Sequence, residues 1–90
     1  MPPGETLAAR GSESPAEVDE LAQRIRQAIR ELPDRPQAAI VLRDIEGLSY
    51  DQMAVILETS APTARVLVHR VRETVRQMLL TRWPDTFGEP

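Results

Sequence analysis

Four arginines, Arg65, Arg70, Arg72 and Arg76, crowd the stretch that follows Ser60, and His69 stands among them. A serine that can cap a helix, followed by guanidinium groups, suits the holding of phosphate. The cap and the first amides of the helix face an anion, and the arginines add fixed charge. Tyr50, upstream, fits either packing or a further phosphate contact. Other chemistry is poorly supplied. His69 is the single histidine and the chain has no cysteine, so a metal site lacks ligands. Asp44 and Glu46 are near neighbours at a helix end, without a pocket implied around them. There is no glycine-rich phosphate loop and no nucleophile paired with a base. The expectation is a binding protein, with no catalytic residues, no metal and no cofactor.

The net charge of −3 hides an uneven distribution. Residues 1–59 sum to −5, residues 60–82 to +4 and residues 83–90 to −2. Screening limits the acidic part to short range, about 8 Å at physiological salt, so the basic stretch can still meet phosphates. A solvated basic helix face is common and would explain these arginines equally well if nothing else framed them.

The elements that must position these groups are helices. Ninety residues suffice for one domain, and one each of Phe, Trp and Tyr means an aliphatic core. Residues 1–13, with Pro2, Pro3, Gly4 and Gly11, read as a disordered leader. They lack the basic flank and apolar run of a secretory signal, and a cytoplasmic location is expected. Ser14, Pro15 and Glu17 suit the start of a first helix running to about residue 31, with Val18, Leu21, Ile25, Ile29 and Leu32 as its apolar stripe. Pro33 stops it. A second helix opens near Asp34, with Ala38, Val41, Leu42 and Ile45 inward, and ends at Gly47 in a left-handed turn. Ser49 and Gln52 form a capping box for a short third helix to about Leu57, with Met53, Ala54 and Leu57 inward. Ser60 caps the last helix, Ala61 to about Arg82, whose inner face is Ala64, Val68, Val71, Val75 and Met78. Residues 83–90 read as an irregular tail that folds back through Trp83 or Phe87.

Two helices joined by a very short turn, the second of them basic and capped, make a helix-turn-helix. Ala54 supplies the small residue for their close approach. The expectation is an all-α, four-helix domain over residues 14–82, ending in a helix-turn-helix without a wing. The segment from Leu32 to Leu79 resembles region four of extracytoplasmic-function sigma factors. The resemblance rests on Leu32-Pro33-Asp34-Arg35, on the run from Val41 through Arg43, Asp44 and Gly47 to Ser49-Tyr50, and on His69-Arg70. It implies a transcription-initiation module that reads the −35 promoter element through its last helix while docked on the β flap of RNA polymerase core. By position in the motif, Thr63 and Arg65 fall where the family places DNA contacts; Ser60 at the cap, Val66, His69 and Arg70 along the same helix, and Tyr50 complete the expected DNA-binding set.

Several residues depart from the family pattern. Val66 and Leu67 replace polar or basic residues, Glu58 stands where the tight turn commonly has glycine, Val55 replaces an acidic surface residue, and Pro62 enters the first turn of the last helix. A non-glycine residue held at positive φ costs roughly 1 kcal/mol. The apolar pair at 66 and 67 leaves open an alternative: a sigma mimic that binds an anti-sigma factor or the β flap without reading DNA. No part of the chain resembles region two of a sigma factor. A fragment, a truncated product or a stand-alone region-four protein would all fit.

Overall fold

The computed structural model describes residues 15–88. The elements run in the order α1 (Pro15–Arg30), α2 (Asp34–Ile40), a π-helical turn (Val41–Ile45), α3 (Tyr50–Leu57), α4 (Ala61–Arg82) and a short α5 (Pro84–Phe87). Among the described residues there is no strand. The leader expected at residues 1–13 and the cap expected from Ser14 lie outside the described residues. The tail differs from expectation: Pro84–Phe87 form a helical turn, because Pro84 takes the first helical position and the Gly88 N–H bonds the Pro84 carbonyl at 2.8 Å.

The sequence punctuates the helices where expected. Ser49 Oγ accepts from the Gln52 N–H at 3.1 Å while Gln52 Oε1 accepts from the Ser49 N–H at 2.9 Å. This reciprocal pair satisfies two donors that α3 would otherwise leave bare. Gly47 turns the chain at φ +77°, with open space where a Cβ would stand. Glu58 ends α3 in the left-handed region at φ 54°, ψ 52°, a conformation that β-carbon crowding disfavours. The Arg35 guanidinium donates to the Leu57 carbonyl at 3.0 Å, so a cation from α2 meets the negative end of α3.

α4 is the spine. Its N-terminal half shares one buried cluster with α2 and α3, made of Ala39, Met53, Leu57, Ala64 and Val68. Its C-terminal half shares another with α1 and α2, made of Ala28, Ile29, Leu32, Ile40, Val71, Val75 and Leu79. Leu67 packs against both clusters, and Trp83 and Phe87 close the second from the tail. Each large aliphatic side chain buried this way contributes roughly 1.5–3 kcal/mol.

Three expectations about the core are corrected. Val18 and Ile25 are exposed, at 48 % and 37 %, because α1 buries side chains only from Ala28 onward, where it meets Val71, Val75 and Leu79. Ile45 is 60 % exposed. The bond from the Glu46 N–H to the Val41 carbonyl closes a five-residue turn, and this wider turn carries Ile45 away from the clusters that Ala38 and Leu42 on one side and Val41 on the other pack against. Ala54 is half-buried and belongs to neither cluster, whereas Ala64 is fully buried between α3 and α4. The small residue that permits close approach is therefore supplied by α4.

Candidate nucleic-acid interface

The turn 58–60 feeds directly into α4, whose first residues are held by Ser60. Its Oγ accepts from the Thr63 N–H at 3.2 Å and donates to Thr63 Oγ1 at 2.8 Å. The Thr63 hydroxyl accepts from Ser60, so its own proton stays available to an outside acceptor. Pro62 lacks an N–H, and in the first turn of a helix that loss is harmless. The outer side of α4 then carries Thr63, Arg65, Val66, His69 and Arg70, all exposed.

Tyr50 is brought to the same surface from the start of α3. Two guanidinium groups lie over its ring: Arg43 at 4.3 Å and Arg65 at 5.2 Å from the ring centre. The ring's negative face favours both cations, a contribution of about 0.5–1 kcal/mol each at exposed sites. Arg43 also donates to the Leu48 carbonyl at 2.7 Å, which ties the loop between the π turn and α3. Arg43, Tyr50 and Arg65 thus form one cationic stack beside the N-terminal end of α4. Arg43 was missed by reading the chain linearly. It stands seven residues before Tyr50, and only the turn at Gly47 folds it back over the ring.

The basic residues divide into two groups. Arg72 grips Asp44 with two bonds, Nε to Oδ2 at 3.0 Å and Nη2 to Oδ1 at 2.5 Å. Arg72 holds the Asp44 carboxyl below its ordinary pKa, and Asp44 in turn raises Arg72. Arg82 binds both oxygens of Glu31 and lowers that carboxyl in the same way. Arg76 pairs with Glu73 at 3.3 Å. Among the described residues, Arg65 and Arg70 make no ion pair. Of the four arginines singled out from the sequence, Arg72 and Arg76 are ion-paired, and Arg65 and Arg70 face outward without an ion pair. Val66 is 47 % exposed, while Leu67 turns inward and is not part of the surface that the sequence suggested.

Two helices joined by residues 58–60, packed through Met53, Leu57, Ala64 and Val68, with a capped and basic second helix, define a helix-turn-helix domain. The family model described as Sigma-70, region 4 matches residues 22–75, and the chain belongs to this family. It is similar to the RNA polymerase sigma-H factor of Pseudomonas aeruginosa, 34 % identical over 61 residues, which is 68 % of this chain and 32 % of that protein. It is also similar to the ECF RNA polymerase sigma-E factor of Escherichia coli K12, 37 % identical over 57 residues, 63 % of this chain and 30 % of that protein. The chain spans about a third of the length of the curated relatives it matches. No solved structure matches it. No described helix is long and apolar enough to cross a membrane.

Proposed function

We propose that this domain acts in transcription initiation by placing the N-terminal half of α4 in the major groove of the −35 promoter element while a second surface docks on RNA polymerase. The observation that carries the reading is the pairing pattern of the arginines. Arg65 and Arg70 make no ion pair and lie in the N-terminal half of α4, whereas Arg72 and Arg82 are occupied by Asp44 and Glu31. Ser60, Thr63, Arg65, Val66, His69, Arg70 and Tyr50 are the proposed DNA-contacting set, with Arg43 added from the stack over Tyr50. Arg43, Arg65, Arg70, Tyr50 and Thr63 serve as phosphate contacts that fix register.

The polymerase-docking role is proposed for the opposite end of the spine. A mainly apolar cleft of about 330 Å³ opens there between α1, α2 and the C-terminal half of α4, lined by Ile25, Ile40, Val75, Leu79, Leu80 and Phe87 and edged by the Asp44–Arg72 pair and Arg76. Its apolar lining on α4 begins at Val75, about two and a half turns beyond Val66, so a protein bound there leaves the DNA-facing end clear. The inward turn of Leu67 removes half of the apolar pair that supported the protein-only alternative.

NMR titration tests the assignment. Adding duplex DNA should shift amides of residues 60–70 and 43–50, and adding the polymerase flap should shift residues around Ile25, Ile40 and Leu79. Shifts from DNA confined to the Leu79 end, or none at all, would overturn it.

A further inference from the structure

Val66 occupies the centre of the outward face of α4. Ala64, Val68, Val71 and Val75 are buried. At about 100° per residue, Val66 stands about 200° around the helix from both Ala64 and Val68, directly away from the core. Arg65 lies about 100° to one side of it, and Arg70 and Thr63 lie about 40° and 60° to the other. When cationic and hydroxyl groups on either side hold phosphates, the side chain between them meets the floor of the groove. That side chain is an isopropyl group. Beside it lies a shallow cleft of about 420 Å³, lined by Tyr50, Ala61, Pro62, Arg65 and Val66.

We infer that Val66 is a specificity-determining residue that selects thymine through its C5-methyl group; the inference rests on the DNA-binding reading above. The major groove presents donors and acceptors on every base edge, and its one apolar group is the thymine methyl. An isopropyl group pressed onto a cytosine amine or a guanine oxygen strips water from a polar atom and returns no hydrogen bond. Pressed onto a thymine methyl it removes apolar surface from water on both sides. Both effects favour the same base, so the residue type that cannot hydrogen-bond still discriminates. Pro62, one turn earlier on the same stripe and without an N–H, keeps the surround of this contact apolar.

The test replaces thymine by deoxyuridine, which keeps every hydrogen-bonding group and removes only the methyl. Duplexes enriched from a random library by the whole chain at low salt are resynthesised with deoxyuridine at each thymine in turn, and binding is measured by anisotropy. One position should show a loss of about three- to five-fold, the worth of one buried methyl. Val66→Ser should abolish the difference at that position, and Val66→Thr, which keeps one methyl, should retain most of it. Both variants should melt with the wild-type midpoint, since the side chain is exposed. Duplex binding that is indifferent to deoxyuridine everywhere, or an equal loss in Val66→Ser, overturns the inference alone. Failure of the wild-type chain to bind any duplex overturns the DNA reading and the inference with it.

Discussion

A guanidinium already gripped by two carboxylate oxygens has little left to offer a phosphate, and this separates Arg65 from Arg72. Arg65 rests on the Tyr50 ring, which orients it and leaves its donors exposed; Arg72 spends two donors on Asp44. Arg65→Ala should weaken binding to all duplexes alike and lower the salt slope by about one unit, the signature of a lost phosphate contact. Arg72→Ala should leave the slope within error and act on stability instead, by at most about 1 kcal/mol for an exposed pair. Binding of both variants over a salt series, beside their melting curves, checks the pair. A sequence-dependent loss in Arg65→Ala would instead assign that side chain to a base edge.

At the scale of elements, the two left-handed residues give opposite expectations. Gly47→Ala meets no neighbour, so its cost is conformational alone, about 1 kcal/mol. Glu58→Gly removes the same kind of crowding at φ 54° and should stabilise the domain by up to about 1 kcal/mol in urea titrations. Ala64→Leu should overpack the helix-turn-helix by about 1–3 kcal/mol, and Ala54→Leu, at a half-buried site outside the clusters, should cost less. The sequence showed the helix boundaries well, because Ser49, Ser60, Gly47 and Pro33 act through local geometry. It showed α4's buried face for the same reason: Ala64, Val68, Val71 and Val75 keep one helical period. Ile45 and Ala54 were misplaced because their exposure depends on a π turn and a crossing that no local pattern encodes. The pairing of Arg72 with Asp44, 28 residues apart, and the place of Arg43 over Tyr50 are likewise tertiary facts.

For the whole molecule, charge sets acid stability and, on the proposed function, the strength of DNA binding. Asp44 and Glu31 have folded pKa values below their ordinary ones, so their pairs stabilise the fold above the usual carboxylate range and are lost as pH falls through the folded values. The melting temperature should hold down to about pH 5 and fall below about pH 4, less steeply in Asp44→Asn. The proposed DNA binding rests on fewer charges than the composition suggests. Of the arginines on α4, Arg72, Arg76 and Arg82 are paired, so the proposed phosphate contacts are Arg65 and Arg70 with Arg43 beside them, on a chain of net charge −3. Three phosphate contacts give a slope of log affinity on log salt of about −2 to −3. An affinity of only about 10⁻⁴–10⁻⁶ M is expected for the isolated chain at physiological salt. Docking on polymerase would add binding by raising the effective concentration of α4 at the promoter, without any new contact to DNA. Titrating a labelled duplex with the chain alone, and then with polymerase core present, separates the two contributions. A marked gain with core is expected. Nanomolar, sequence-selective binding by the chain alone would show that α4 carries the affinity unaided and that the polymerase surface is dispensable for it.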